Sequence, residues 1–324
     1  MCSREEIIDF SQPRYDPDSY WGRVKNNLLH HNPLNLFVSS ESLEDAKCLY
    51  INYRCEQYLP GEIKHEELWK AKNLFESGYH PETGERITGI ARPPAHVPMN
   101  SLLAGGMMAS YQIPLGVVLW HWLNQTYNAV MAYAYKDDES PITDAQLMTS
   151  CGLATGTAIG TALGLNSLMR CSPYLLARFV PLAAVAAAHC ISVPLMRAQV
   201  LKNGTPIYND ADSKLGYSKM AAQAGTSGVI AHRILNALPP MGLTPIIMHQ
   251  LEQRGSLCRY PWLNFAGHVG IAFLCLTFVS PLTCALVSQR GSIPFKHLEP
   301  EAKDFICKKF YDHPPKYVFF DRGI

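Results

Sequence analysis

Five stretches of this chain contain no Asp, Glu, Lys or Arg: 97–135, 145–169, 179–196, 234–251 and 260–289. A helix of about 20 mostly apolar residues crosses the roughly 30 Å hydrocarbon core of a bilayer. The runs predict five spans, at about 99–120, 145–168, 175–196, 226–248 and 262–287. A soluble core can hold one such helix, but five in succession favour lipid as the surrounding medium. The bulk composition hides this pattern. Hydrophobic residues make up 48% and charged residues 17%. Yet 26 of the 55 charged side chains lie within residues 1–96.

The expected fold class is therefore all-α. We read a multi-pass α-helical membrane protein with about five transmembrane helices and an amino-terminal soluble helical region. Its parts are residues 1–96 (soluble helices), 97–290 (transmembrane domain) and 291–324 (carboxy-terminal tail). In the first part, Leu43, Ala46, Leu49, Tyr50 and Tyr53 share one helix face. Ile63, Leu68, Ala71 and Phe75 do the same on a second helix, stopped by Gly78 and Pro81. A helix start is expected near Thr143, and 201–219 reads as a polar hairpin or loop. The lysines and arginines flanking the spans do not settle an orientation.

A net charge of +1 gives no bulk field for nucleic acid. Ten cysteines contain no C-x-x-C, so neither zinc nor a disulfide framework is expected. The opening "MCSREEIIDF" has acidic residues and no apolar h-region, so no cleaved signal is expected there, and any organelle address would be internal. No nucleophile elbow, phosphate loop or H-E-x-x-H is present, and no enzyme is expected. His189, His232, His249 and His268 fall in or beside spans without forming a recognisable haem pair, so no cofactor and no metal are expected.

Gly152, Gly156, Gly160 and Gly164 recur every four residues. In lipid, helices associate through close backbone approach over small residues. This ladder is expected to pack helices, with "AAVAAA" (183–188) as a suitable partner.

Polar residues at membrane depth are the candidate substrate path. They are Asn124, Gln125 and Asn128 after the first span, Arg178 and His189 around the third, and Arg233 and Asn236 in the fourth. Interhelical hydrogen bonds and snorkelling are the structural alternatives. Pro181 and Pro194 flank the third span, and Pro239, Pro240 and Pro245 predict an interrupted fourth helix. Transporters place solute sites at such interruptions; a plain kink is the other reading.

Read in order, "HPETGE" (His80, Pro81, Glu82, Thr83, Gly84, Glu85), "NQTYNA" (124–129), "TALGLNSL" (161–168), "RFVPLAAVAAAHCISVPLMR" (178–197), "RILNALPPMGLTPIIM" (233–248), "SPLTCAL" (280–286) and "YVFFDRGI" (317–324) resemble the sideroflexin family. The resemblance implies a multi-pass carrier of the mitochondrial inner membrane without a cleaved presequence. It implies a small-molecule substrate, a small amino acid with serine favoured, feeding mitochondrial one-carbon metabolism, and looser links to iron and haem homeostasis. Homo-oligomerisation stays open. The family usually has asparagine where this chain has His189, and "YAYKDD" (133–138) and "LVSQ" (286–289) also depart from its pattern. The alternative function is a non-transporting membrane scaffold or assembly factor for iron–haem or respiratory machinery.

Overall fold

The computed structural model describes residues 10, 13–56, 64–80, 83–87, 89–135, 143–168, 177–210, 213–254, 262–309 and 315–323. The amphipathic spacing near the amino terminus builds α2 (Ser40–Glu56) and α3 (His65–Gly78). Leu43, Ala46, Tyr50 and Tyr53 on α2 are buried with Leu68, Ala71 and Phe75 on α3. Ile63 lies outside the described residues. The rings of Tyr50, Phe75 and Tyr79 stack in series at 4.6 and 5.5 Å. Tyr79 donates to Glu44 at 2.7 Å, and burial with that carboxylate neighbour pushes the phenol up to about 12.

The described part of "HPETGE" closes this layer. Pro81 and Glu82 lie outside the described residues. His80 N–H donates to Glu85 O at 2.8 Å, Gly84 N–H donates to His80 O at 3.0 Å, and Gly84 takes φ 66°, which suits glycine. Thr83 Oγ1 accepts from Glu85 N–H, and Lys47 Nζ docks the turn on α2 through Gly84 O.

The first charge-free run forms two helices rather than one, α4 (His96–Ala109) and α5 (Pro114–Ala134). Ser110 Oγ folds back onto Gly106 O at 2.6 Å, and Pro114 opens the next helix, so the chain turns between them. Helix α6 (Asp144–Leu168) starts with a capping box, in which Thr143 and Gln146 exchange hydrogen bonds at 3.3 Å. Helix α7 (Val180–Met196) has Pro181 in its first turn, where a missing N–H costs nothing, and Pro194 in its last. Short α8 (Ala198–Asn203) then leads to a hairpin.

Helix α6 packs on α7, but not through the expected glycines. Gly152, Gly156, Gly160 and Gly164 lie on the exposed face, where an added Cβ would meet nothing within 4 Å. The contact is made by Ala154, Ala158 and Ala162, all buried, against Ala184 and Ala188. Alanine keeps the backbones close without the conformational cost of glycine. The glycines that permit close approach are on α4. A Cβ on Gly105 would strike Val269 backbone at 2.8 Å, and one on Gly106 would enter the Trp120 ring.

Helix α9 (Lys219–Gln253) has 35 residues and is continuous. The interruption expected at Pro239, Pro240 and Pro245 does not occur, because neighbours satisfy what two of the prolines leave bare. Pro239 and Pro240 lack the N–H groups that would bond to Leu235 O and Asn236 O. Ser280 Oγ donates to Asn236 O at 3.3 Å, and Thr283 Oγ1 shares its proton between Leu235 O at 3.3 Å and Ser280 O of its own helix at 3.0 Å. Both hydroxyls belong to α11 (Ser280–Cys284), which continues α10 (Leu263–Leu274) through a π-helical turn at Cys275–Val279.

The chain is mostly helical, but all-α needs correction: among the described residues, four strands form one antiparallel sheet. They are β1 (Thr205–Tyr208), β2 (Lys214–Ser218), β3 (Arg290–Pro294) and β4 (Tyr317–Asp321), in the order β2-β1-β4-β3. The β1–β2 hairpin pairs Thr205 with Ser218 and Ile207 with Gly216; β3–β4 pairs Arg290 with Asp321 and Ser292 with Phe319. Ile207, Leu215, Val318 and Phe320 are buried on one face with Ile306 of α12 (Pro300–Lys309). The sheet also caps α9. Ser218 accepts from Ala221 N–H and donates to Glu299, which itself accepts from Met220 N–H. Partial burial alone would raise the Glu299 carboxyl, but these hydrogen bonds prevail and lower it.

Among the described residues, Leu263–Cys284 is the one helical stretch long and apolar enough to cross a bilayer, with 22 residues and mean hydropathy 1.8. Val180–Met196 is apolar but short. Amides and His121 in α5, and the charged and proline-rich turns of α9, dilute the other candidates.

Thermal unfolding of detergent-purified variants tests the α6 interface. Gly156→Ala and Gly160→Ala should leave the midpoint unchanged or raise stability by about 0.5–1 kcal/mol each. Ala158→Leu should lower it by about 1–3 kcal/mol through overpacking.

Candidate functional site

Helices α1 (Tyr20–His30), α4, α5, α7 and α9 surround a cavity of about 490 Å³. Five of the seven expected path residues border it: Asn124 and Asn128 from α5, His189 from α7, and Arg233 and Asn236 from α9. Helical spacing brings them together. Asn124 and Asn128 share a face of α5, and residues three apart place Arg233 and Asn236 one above the other on α9. The apolar wall includes Met107, Val185 and Met241 from one continuous hydrophobic cluster.

Arg233 is the cation of this cavity. No carboxylate borders the cavity, and none pairs with Arg233 among the described residues. The buried Asn124 Nδ2, Tyr127 Oη, His189 Nδ1 and His232 Nδ1 also have no hydrogen-bond partner among the described residues. Unpaired buried polar atoms are costly, and grouping them with a lone cation in one cavity leaves them available to a polar anionic or zwitterionic guest.

Gln125 is placed differently. It faces a separate pocket of about 10 Å³, shared with Asn128, Ser192 and the other side of Arg233. That space suits about one water molecule. Arg178 does not reach the cavity. It is buried at the start of α7 and forms an ion pair with Glu252 near the end of α9. Of the prolines, Pro240 borders the cavity, so the segment supported by Ser280 and Thr283 is also its wall.

The sequence reading missed the contribution of α1. Residues 1–96 carry high charge and read as a separate layer, yet Asn27, His30 and His31 border the cavity. Helix α1 is tied to α11 by Arg23 Nε donating to Ala285 O at 2.8 Å and Tyr20 Oη donating to Leu282 O at 3.0 Å. The histidines meet His96 at the start of α4. Ring centroids are 4.9 Å apart for His30–His31 and 5.3 Å for His31–His96. His96 lies 3.0 Å from Asn100 Nδ2 and 3.4 Å from Asn236 Nδ2. Burial holds both α1 histidines below the usual imidazole range, opposed by Glu76 at His30, and at His31 reinforced by His30, His96 and His232 and opposed by a hydrogen bond to the Pro93 backbone. Both rings are therefore neutral at neutral pH. The adjacent "HH" at 30–31 and the "HVPMN" opening the first charge-free run were the available signals.

The cavity continues outward. A small pocket bordered by Asn27, His31, His96, His232 and Asn236 adjoins it. Asn27, His232 and Cys284 link that pocket to a vestibule of about 660 Å³ between α1 and the sheet. Histidine and asparagine side chains thus line the connection from vestibule to Arg233.

Removing the hydroxyls that support the α9 wall should loosen it. Ser280→Ala and Thr283→Val should each cost about 1 kcal/mol of stability. The exposed Ser227→Ala, whose hydroxyl bonds only within its own helix, should be neutral in the same melting experiment.

The sideroflexin family model matches residues 9–324. The chain is similar to Sideroflexin-1-3 of Drosophila melanogaster, at 42% identity over 317 residues covering 98% of each protein. It is similar to human Sideroflexin-3 at 40% identity over 98% of each chain, and to human Sideroflexin-1 at 39% over 98% of each. No solved structure matches. With a family model spanning nearly its whole length and relatives matched end to end, this chain belongs to the sideroflexin family.

Proposed function

We propose that this protein is a multi-pass carrier of the mitochondrial inner membrane that moves small amino acids, with serine the favoured substrate, toward one-carbon metabolism. The observation that carries this reading is Arg233, a cation without a carboxylate partner among the described residues, beside a cavity lined by amides and imidazoles. A substrate carboxylate supplies the missing charge, and bidentate guanidinium geometry suits it. The ammonium and hydroxyl groups of serine face the oxygens and nitrogens of Asn124, Asn128 and Tyr127. A cavity of about 490 Å³ holds such a molecule with accompanying water.

Alternating access does not use a pre-broken helix in this reading. The movable parts are α1, held through Arg23 and Tyr20, and the proline-containing wall of α9, whose carbonyls have side-chain donors in place of backbone ones. The five charge-free runs and the apolar Leu263–Cys284 helix support membrane insertion. The family membership supports the mitochondrial setting.

Uptake of labelled serine into proteoliposomes tests the reading. Arg233→Ala should reduce uptake at least about 100-fold, because it removes the charged contact of a desolvated site. Asn124→Ala should raise KM about 5–30-fold. Arg178→Ala should lower thermal stability, while the folded fraction keeps its KM within about twofold, since the Arg178–Glu252 pair lies away from the cavity. Wild-type protein that inserts into liposomes but moves no serine or other small amino acid would favour a sealed scaffold instead.

A further inference from the structure

The histidines between vestibule and cavity have no part in holding the substrate as described above, yet they lie on its path. His31, His96 and His232 border the intervening pocket together, and each of them also borders the cavity that holds Arg233. His31 Nδ1 and His232 Nδ1 are buried and have no hydrogen-bond partner among the described residues. An imidazole nitrogen without a partner is a free place for a proton or a lost hydrogen bond.

His96 is set up for a change of protonation. Its two ring nitrogens face two amides, Asn100 at 3.0 Å and Asn236 at 3.4 Å. A neutral ring donates at one nitrogen and accepts at the other. A protonated ring donates at both and needs an amide oxygen at each. Rotation of the Asn236 amide presents one, while rotation of the Asn100 amide presents the other at the expense of its 2.8 Å bond from Nδ2 to His96 O.

Among the described residues, the charged and titratable groups around the cluster come from two sides. On the vestibule side, Asp18 and Arg23 at the start of α1, Tyr208 of β1, Arg290 of β3 and Asp321 of β4 share a border with His232. On the cavity side, from α1 come His30 and His31; from α3, Glu76, already paired with Lys72 at 3.6 Å. Helix α4 gives His96, α5 gives Tyr127 and Tyr135, α7 gives His189, α9 gives His232 and Arg233, and α11 gives Cys284. In the empty cavity, Arg233 opposes any further positive charge. A bound carboxylate neutralises that field and so favours protonation nearby. Linkage makes the effect mutual: a proton on the cluster strengthens carboxylate binding by the same factor.

We propose that His31, His96 and His232 form a proton-binding site coupled to the carboxylate site at Arg233, so that one proton from vestibule water enters with each substrate molecule. The proposal rests on the carrier reading above and adds the coupling ion. No bond other than that to the proton forms or breaks. The proton leaves water, resides on an imidazole nitrogen while substrate is bound, and returns to water on release.

The test uses full-length wild-type protein in detergent with L-serine as probe. In weakly buffered solution with a pH-indicator dye, serine addition should remove about one proton per site from solution. With one proton taken up per serine, the Kd should fall by about tenfold per pH unit, about 100-fold from pH 8 to pH 6, a range in which serine itself does not titrate. The His31→Gln/His96→Gln protein should lose the pH dependence, with its Kd held within about twofold across that range. Serine binding without proton uptake by the wild type, and with a Kd independent of pH, overturns the coupling while leaving the carrier reading intact. Absence of serine binding at every pH overturns both, and so separates the two failures.

Discussion

A half-buried guanidinium group with no carboxylate partner among the described residues costs free energy that the fold must recover elsewhere. Arg233 is in that position, between a large polar cavity and a pocket the size of one water. The surrounding architecture reads as the means of holding it there. Alanine contacts bring α6 against α7, and glycine contacts bring α4 against α10. Neutral amides and imidazoles, rather than acids, line the space left open. The contrast with Arg178 is instructive, because that buried arginine has Glu252 and forms no part of the cavity.

Helix α9 carries the charge, and its continuity depends on a neighbour. Three prolines would ordinarily break a helix by removing donors and crowding the preceding turn. The two hydroxyls of the "SPLTCAL" segment donate to the very carbonyls that Pro239 and Pro240 abandon. In an apolar surrounding such side-chain donors are what allow proline within a helix. The site wall is therefore intact yet built from substitute hydrogen bonds. The carboxy-terminal segment ties the end of α7 to the residues before β3: Arg197 Nη1 donates to Arg322 O at 2.7 Å, and Arg322 Nη1 donates to Ser288 O at 2.9 Å.

Much of the helical layout was legible because periodicity and capping are local. The α2–α3 faces and the Thr143 start follow from spacing and side-chain chemistry within a few residues. The cavity was partly legible for a related reason, since amides and arginines are conspicuous in apolar runs. Spacing alone could not choose between two equivalent rows on α6. Gly152–Gly164 and Ala154–Ala162 share the same period of four, and only the position of α7 decides which row is covered. The β1–β2 hairpin was legible in the turn-rich 201–219 segment, but its joining to β3 and β4 was hidden, because those strands have five residues each and come from segments far apart in the chain. The histidines of α1 were hidden because composition separates residues 1–96 from the remainder, whereas two side-chain bonds to α11 bring them back.

The central claim is that Arg233 reads a carboxylate. Calorimetric titration of the purified protein with L-serine and with L-serinamide, which keeps the amine and hydroxyl but lacks the negative charge, tests it directly. The account predicts saturable binding of serine and affinity for serinamide at least about 100-fold weaker. Equal affinity for the two would contradict it.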